Sequence, residues 1–499
     1  MDAMAPRDAG GAEGAEGGGE DAQVMVSFRA AAGMPAALRV AETAFALPAS
    51  LTRFGLSEVV NHLLSLPRPV PFDFLVQGAF VRGSLSKVLQ GLAIGQERTV
   101  EIEYVTMLPK PDPSPGVPHD DWVAGVDARA GGAAASCSYD GAVRLVKLRG
   151  EPRESSRGAG AAAAAAAQGR VSEEVVATFT GPRTPLSSVA LLRSSADEAY
   201  AAVAGGKDGR IYGWGLVPEA GGPEGGAWWA RPASSGRPHV AFTGVQDGDQ
   251  CLAAAPPGEE VFASGAADGL VRLWAAPPAD FVPDEVDGEE EEGGGRGGGR
   301  GKAKRRKVAS ASAARDTKVV ECIATLRKHG QTVTGVCWPA ASALYSVALD
   351  GVVRKWDAEA QAAASEVAAS RALSCVDSAS APGASPDLLA AGSTDGHVRV
   401  FDLRAGESTD RGSLLASSLA SHAQHVRSIA FCRGRGELLA SASYDGTVKV
   451  WDLRARVPLH TLTGHEGKVL SVDWVGDTTD LVSGGADKKL LHWQVAPSE

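Results

Sequence analysis

The stretch LLASASYDGTVKVWDL, residues 438–453, decides the fold of this 499-residue chain. Two strand-like runs flank Asp445-Gly446, a pair that favours a tight hairpin turn because glycine readily takes positive φ. Seven Asp residues in the chain each precede, by six positions, a residue that ends such a run. These Asp residues are Asp140, Asp208, Asp268, Asp350, Asp395, Asp445 and Asp487. The residues six positions later are Val146, Trp214, Trp274, Trp356, Phe401, Trp451 and Trp493.

Seven copies of one unit predict a mainly β fold, a seven-bladed propeller of four-stranded antiparallel sheets. A bare repeat takes about 40–45 residues, so the longer intervals between the first four Asp residues predict insertions. A strand just before the first repeat, near residues 105–108, is expected to complete the last blade. The first two repeats are the least regular, because Val146 replaces Trp and neither is expected to carry an upstream His.

Three copies carry a histidine upstream of the turn: His329, His422 and His465. This pattern resembles the WD-repeat family, and the resemblance implies that the His bonds the turn Asp, with a Ser and the Trp completing a tetrad. The two complete sets expected are His422, Ser441, Asp445 and Trp451, and His465, Ser483, Asp487 and Trp493. The alternative is a Ser-His-Asp catalytic triad, but a hydrolase needs one nucleophile and these sets recur. We therefore expect no catalytic residues, no enzymatic activity and no cofactor.

Bulk composition excludes several function classes. With 49 Lys and Arg against 60 Asp and Glu, the net charge of −11 argues against a protein that coats nucleic acid generally. Six Cys without a C-x-x-C pair predict reduced thiols in an intracellular compartment. No apolar run reaches 18 residues, so neither a membrane span nor a membrane partner is expected.

Residues 23–105 differ from the repeats. An alternating run at 23–29, a helical pattern and strands at 72–76 and 99–105 predict a ubiquitin-like, β-grasp α+β domain. The helical pattern comprises Leu56, Val59, Val60, Leu63 and Leu64. The predicted organisation is a disordered tail at 1–22, this domain at 23–105, a linker at 106–119 and the propeller at 120–497. Inserts are expected near residues 151–172, 216–240 and 277–318.

Four segments of this domain carry a closer resemblance: FGLSEVVNHLL (54–64), PVPFDFLVQG (69–78), GSLSKVL (83–89) and TVEIEYV (99–105). They resemble the Notchless-like domain, which precedes WD repeats in two families of large-subunit ribosome-assembly proteins. Seven repeats rather than eight, and a basic insertion before the fourth, favour the Ytm-type family of the pescadillo complex.

The resemblance implies a non-enzymatic scaffold in 60S subunit assembly and rRNA maturation. The propeller would join pescadillo and the block-of-proliferation WD-repeat protein on the pre-60S particle. The ubiquitin-like domain would be a handle for the AAA ATPase midasin, which removes the protein from that particle. The implied contact is Glu97, which would complete a metal site of midasin in trans, so no metal is expected in the isolated chain. A carboxylate oxygen is a suitable Mg²⁺ ligand, and Glu101 and Glu103 are weaker candidates.

A charged insertion precedes the fourth repeat, with acidic residues at 284–292 and a Gly/Arg stretch at 293–301. The basic cluster that follows is Lys302, Lys304, Arg305, Arg306 and Lys307. Such a cluster predicts nuclear import, and with it a location in the nucleus, nucleolus and nucleoplasm. A solvated charged loop is the other interpretation, and rRNA contact by the Gly/Arg stretch stays open.

Two other classes of function remain as alternatives. A propeller beside a ubiquitin-like fold is also typical of a WD-repeat adaptor of the ubiquitin pathway, and propellers serve as cytoplasmic signalling scaffolds. The Notchless-like segments argue against the adaptor, and the basic insertion argues against a cytoplasmic location.

Overall fold

The computed structural model divides the chain into two compact units, Met1–Leu108 and Pro109–Glu499. The structure describes residues 23–31, 34–66, 68–94, 99–129, 132–148, 173–180, 184–193, 199–218, 230–232, 240–243, 248, 251–276, 318–340, 343–358, 360–379, 388–402, 415–455 and 457–494.

The first unit is a mixed sheet with two helices. Its elements are β1 Gln23–Ala30, the 3-10 turn Ala36–Leu38, β2 Ala44–Pro48, α1 Arg53–Leu64, β3 Phe72–Val76, β4 Ala79–Phe80, α2 Leu85–Gly91 and β5 Val100–Thr106. The strand order is β2-β1-β5-β3-β4, with β1 and β5 parallel and the other pairs antiparallel. This is the β-grasp arrangement.

One apolar core holds this unit together. Leu56 and Val60 of α1 are fully buried, because the i, i+4 spacing places them on one helix face. The helix ends where Ser65 takes a left-handed conformation (φ 49°). From β5, Tyr104 packs edge-on against Phe72, and its hydroxyl donates to the Leu38 carbonyl at 2.9 Å. The core therefore ties the central strand to the turn before β2.

The described residues of the second unit form seven sheets, so the predicted seven-bladed propeller is confirmed. The three inner strands of each blade, starting from the channel, are Val123–Asp127, Ala133–Ser138 and Ala142–Lys147 in blade 1; Leu186–Arg193, Ala199–Gly206 and Ile211–Pro218 in blade 2; Cys251–Ala254, Val261–Gly265 and Leu270–Ala275 in blade 3; Val333–Ala340, Ala343–Ala348 and Val352–Asp357 in blade 4; Leu373–Ser378, Leu388–Ser393 and His397–Asp402 in blade 5; Val426–Phe431, Leu438–Ser443 and Thr447–Asp452 in blade 6; Val469–Trp474, Leu481–Gly485 and Lys489–Gln494 in blade 7.

The outer edges of the blades are less uniform. The outer strands of blades 1 and 3 to 6 are Glu174–Thr180, Ala324–Arg327, Ala362–Ala368, Leu415–Ala420 and Pro458–Thr463. In blade 2, Val240–Phe242 takes this place, and Lys318–Val320 adds to it in parallel. The short strand Ala230–Pro232 also pairs with Ile211–Pro218.

The ring closes with a segment that the sequence prediction placed wrongly. Blade 7 is completed by the short strands Asp112–Pro113 and Val117–Pro118, which pair with Lys489–Gln494. The predicted closing strand at 105–108 is wrong, because β5 extends to Thr106 and pairs with β1 and β3 in the first unit. Part of the predicted linker at 106–119 is thus propeller.

The turn after each repeat Asp shows why glycine recurs there. Gly446 has φ 82°, and the equivalent Lys488 of blade 7 also takes a positive φ, 65°. Glycine meets this requirement without steric cost, whereas a side chain is strained.

Several bulk features of the described residues bear on function. All six cysteines are unpaired; four are buried and two are half-buried. No helix in the described ranges is long and apolar enough to cross a membrane.

Candidate functional site

The polar groups beneath the repeat turns form hydrogen-bonded chains in blades 6 and 7. In blade 6, His422 Nδ1 donates to Asp445 at 2.8 Å, and His422 Nε2 lies 2.8 Å from Ser441 Oγ, which also accepts Trp451 Nε1–H at 2.8 Å. The structure thus brings the four residues of this predicted tetrad together.

Blade 7 repeats this chain with the second predicted set. His465 Nδ1 lies 2.9 Å from Asp487, and His465 Nε2 lies 2.7 Å from Ser483 Oγ. Trp493 Nε1 donates to the same Ser483 oxygen at 2.8 Å. Both predicted sets therefore share one geometry, in which Trp, Ser, His and Asp are linked in that order.

Blade 4 contains an equivalent set with one addition. His329 lies 3.0 Å from Asp350 and 2.7 Å from Ser346, which accepts Trp356 Nε1–H at 2.7 Å. Arg354 NH1 also donates to Asp350 at 2.9 Å. This turn carboxylate is therefore held by both a histidine and an arginine.

Burial disfavours the charged form of two of these histidines, His422 and His329. It lowers the pKa of His422 and of His329 below the ordinary value, although the hydrogen bond to Asp partly opposes this. Burial also raises the pKa of Asp445, but hydrogen bonds from Thr447 and His422 outweigh it, so the pKa stays below its usual range. With a neutral histidine beside an ionised carboxylate, each of the four side chains of the tetrad finds a hydrogen-bond partner.

The connectivity of these sets is that of a Ser-His-Asp triad, but the surroundings differ. Ser441 and Ser483 are fully buried. Each serine oxygen already accepts an indole N–H, so a substrate cannot approach it. The sets stabilise the turns rather than supply a nucleophile.

Blades 1, 3 and 5 hold the turn carboxylate in another way. The arginine four residues after the turn Asp donates to its carboxylate: Arg144 to Asp140 at 2.7 Å, Arg272 to Asp268 at 2.6 Å and Arg399 to Asp395 at 2.7 Å. We name this contact the arginine clamp. Sequence reasoning missed it, although the pattern Asp-Gly-x-x-Arg is visible in each of these blades.

Blade 1 also corrects the expectation that the first repeats lack an upstream histidine. His119 precedes Asp140 by 21 residues, and its Nε2 lies 2.9 Å from Ser136 Oγ. Its Nδ1 lies 3.2 Å from the Val117 carbonyl rather than bonding Asp140. Burial and the nearby Arg144 lower the pKa of His119 to about 4. The signal was present, because Val123 follows four residues later, as in the other three repeats.

Among its described residues, blade 2 has neither a tetrad nor a clamp. Its turn residue Asp208 accepts a hydrogen bond from the Tyr212 hydroxyl at 2.5 Å. The indole N–H of Trp214 is buried without a hydrogen-bond partner among the described residues. Ala204 stands ten residues before Trp214, where blades 1, 3, 4, 6 and 7 have a serine and blade 5 has Ala391.

The residues predicted to contact partners lie outside the described ranges. Glu97 and the basic residues Lys302, Lys304, Arg305, Arg306 and Lys307 are among them. The strand that follows Glu97 is described: Glu101 is exposed and pairs with Arg29 at 2.9 Å, whereas Glu103 is half-buried. Within the described part of the chain, no group of three or more His, Cys, Asp or Glu could hold a metal ion.

Family models match both units. The NLE (NUC135) domain model matches residues 24–89, and the WD domain, G-beta repeat model matches residues 320–357, 413–452 and 456–494. These three repeats contain His329, His422 and His465. The crystal structure of the WD40 beta propeller domain of Doa1 matches with a TM-score of 0.51 and 16% identity, over 78% of this chain and 97% of that one. That likeness shows the fold alone.

Curated relatives align over nearly the whole chain. The ribosome biogenesis protein WDR12 homolog of Chlamydomonas reinhardtii is 34% identical over 95% of this chain and 98% of its own length. The homolog of Oryza sativa is 31% identical over 95% of this chain and 97% of its own length. The ribosome biogenesis protein YTM1 of Meyerozyma guilliermondii is 30% identical over 91% of this chain and 92% of its own length.

These findings define a WD-repeat protein whose propeller follows an NLE domain. The chain belongs to the WDR12/YTM1 family of ribosome biogenesis proteins. The resemblance predicted from the Notchless-like segments and the seven repeats is thereby confirmed.

Proposed function

We propose that this chain is a non-enzymatic scaffold in large ribosomal subunit assembly and rRNA maturation. The observation that carries the proposal is the 34% identity to a ribosome biogenesis protein over 95% of this chain and 98% of that relative. The alignment spans both units, so the relative shares the NLE domain as well as the propeller.

In this proposal, the propeller joins pescadillo and the block-of-proliferation protein on the pre-60S particle. A closed ring of sheets is a rigid docking platform, and one face of it carries aromatic side chains. Tyr139 directly precedes a turn Asp, stacks on the 40% exposed Trp122 and lies 4.5 Å from the Lys207 ammonium. Aromatic residues are enriched in protein interfaces. This observation favours, as the docking surface, the face of the propeller that carries the turns after the repeat Asp residues.

The NLE unit serves, in this proposal, as the handle for midasin, with Glu97 as a metal ligand offered in trans. Glu101 is held by Arg29, so it is less able to reach a metal in a partner. Glu97→Ala should abolish midasin capture and leave the complex on pre-60S particles, while recovery of the propeller partners stays normal. Glu101→Ala is the matched control. Normal capture by Glu97→Ala, or its loss in Glu101→Ala alone, contradicts the assignment.

The basic cluster at residues 302–307 is proposed as the nuclear import signal, which would place the protein in the nucleus, nucleolus and nucleoplasm. Deleting these residues should shift a fluorescent fusion toward the cytoplasm. Deletion of the acidic residues 284–292 from the same insertion is the control. An unchanged nuclear signal after the basic deletion contradicts the import role.

The scaffold proposal is tested by affinity purification of the tagged chain from nuclear extract, followed by mass spectrometry. We expect pescadillo, the block-of-proliferation protein, midasin and large-subunit precursors. Recovery of cullin or proteasome subunits in their place would favour the ubiquitin-pathway adaptor.

A further inference from the structure

A cavity of about 300 Å³ lies between the inner strands of the propeller. The charged side chains that line it, which we name the channel cluster, are Arg129, Arg193, Arg427, Arg433, Asp127, Asp377 and Asp473. They come from the inner strands of five blades and the residues just after them. Guanidinium groups outnumber carboxylates here, although the whole chain carries a net charge of −11. The cavity therefore carries a formal excess of one positive charge, in a protein that is acidic overall.

The three carboxylates of the channel cluster are already engaged. Each accepts a backbone N–H from the neighbouring blade, at 2.8 Å for Asp127 and Asp377 and at 2.9 Å for Asp473. These bonds join blade 1 to blade 2, blade 5 to blade 6 and blade 7 to blade 1. The carboxylates are thus part of the contacts that hold adjacent blades together.

One arginine forms ion pairs with two of these carboxylates. Arg129 NH2 lies 3.2 Å from Asp377, and its Nε lies 3.7 Å from Asp473. Asp377, and then Asp473, raise the pKa of Arg129 against the effect of burial. Arg129 and these two carboxylates form a bridge across the ring, so both carboxylates are already paired with this guanidinium.

Arg433 and Arg427 of blade 6 have no such partner. Among the described residues, no carboxylate lies within ion-pair distance of either guanidinium. Burial, together with the positive charges of Arg193 and Arg129, lowers the pKa of Arg433 to about 10. A partly buried cation among like charges is unfavourable unless an anion joins it. Such an arrangement is typical of a binding site rather than of a structural contact.

We propose that the channel cluster binds a small, soluble phosphate-type oxyanion. Guanidinium forks match phosphate oxygens in two-point hydrogen bonds, and several guanidiniums favour a ligand with more than one negative charge. The cavity volume is at the lower end of the range for small-molecule pockets, about 300–1,000 Å³. Because the lining residues come from inner strands around the ring, a compact ligand fits the site better than a polymer.

Isothermal titration calorimetry of the full chain, with pyrophosphate and inositol hexakisphosphate as probes, tests the proposal. Saturable one-to-one binding is expected for at least one probe. Arg433→Gln and Arg427→Gln should each weaken it by about tenfold, the typical effect of losing a charged hydrogen bond. Arg327→Gln, on the exposed outer strand of blade 3, should bind like the unmodified chain. Higher salt should weaken binding, because screening reduces attraction between charges.

A second measurement separates binding from folding. Without ligand, the thermal unfolding midpoint of Arg433→Gln should equal or exceed that of the unmodified chain, because a repulsive charge is removed. Lack of saturable binding by the unmodified chain overturns the proposal. The proposal is also overturned if the Arg433 and Arg427 variants bind as tightly as the unmodified chain. The same holds if Arg327→Gln weakens binding as much as they do. Binding confined to a 5′-phosphorylated RNA, with the same Arg433 dependence, overturns the small-molecule assignment.

Discussion

Blades 4, 6 and 7 hold their turn carboxylate with a histidine tetrad, whereas blades 3 and 5 have an arginine clamp and no tetrad. His422 approaches Asp445 at 2.8 Å in blade 6, and Arg272 approaches Asp268 at 2.6 Å in blade 3. The backbone hardly differs between them: the glycine after each turn Asp has φ 82° in blade 6 and 76° in blade 3.

The comparison shows that the turn requires a donor for its carboxylate, not a particular residue. A neutral histidine and a charged arginine both satisfy it, but only the histidine extends the chain to the serine and tryptophan. The WD-repeat family model matches the three repeats with the complete tetrad. Repeats with the clamp keep the geometry while losing part of the sequence pattern.

The largest effect is expected when the clamp is broken. Arg272→Met keeps most of the side-chain volume but leaves the Asp268 carboxylate, 13% exposed, without its ion pair. We expect a loss of about 3 kcal/mol in unfolding free energy, measured by urea denaturation. Arg327→Met on the outer strand of the same blade is the control. The double variant Arg272→Met/Asp268→Asn should recover part of the loss. Equal stability of Arg272→Met and the control would show that the clamp is dispensable.

A serine pair compares the two networks directly. Ser441→Ala in blade 6 leaves both Trp451 Nε1 and His422 Nε2 without a hydrogen-bond partner. Ser264→Ala in blade 3 removes the partner of Trp274 Nε1 only. Unsatisfied buried groups cost about 1–3 kcal/mol each, so Ser441→Ala should lose roughly twice as much stability. Equal losses in urea denaturation would mean that the histidine adds nothing to the network.

The pH dependence of stability should reveal the buried histidine of blade 1, because the arginine clamp of the same blade does not titrate in that pH range. The pKa of His119 is about 4 in the folded chain, against about 6.5 when unfolded. Because the unfolded chain takes up the proton first, this contribution is complete above pH 6.5 and is lost as pH falls toward 4. We expect a loss of about 1 kcal/mol at pH 5.5. His119→Asn should flatten the dependence, and His62→Asn, at an exposed histidine, should not; an unchanged slope in His119→Asn contradicts this.

The smallest effect is expected in blade 2, as a gain. Ala204→Ser places a hydroxyl where five of the other six blades have one, within reach of Trp214 Nε1, which has no partner among the described residues. A new buried hydrogen bond typically contributes about 0.5–1.5 kcal/mol. Thermal unfolding of this variant beside Ala202→Ser, two residues away on the same buried strand, measures the gain. A lower midpoint for Ala204→Ser would show that blade 2 has no room for the serine.

The sequence predicted the propeller because each turn demands a glycine-compatible φ and each blade buries a large residue six positions later. It missed the closing strands, since Asp112–Pro113 and Val117–Pro118 are too short to alternate and contain prolines. His119 was missed although Val123 follows it four residues later, the spacing that marks the other three repeats. The channel cluster is not visible in sequence, because Arg129, Arg193 and Arg433 are brought together only by ring closure.

The central claim is that this chain works as a scaffold on large-subunit precursors. Sucrose-gradient sedimentation of nuclear extract, with the tagged full chain followed across the fractions, tests it most directly. The chain should co-sediment with large-subunit precursor rRNA, and Glu97→Ala should accumulate in those same fractions because its removal is blocked. Sedimentation of the unmodified chain apart from precursor rRNA, at the top of the gradient or with proteasome subunits, would contradict the claim.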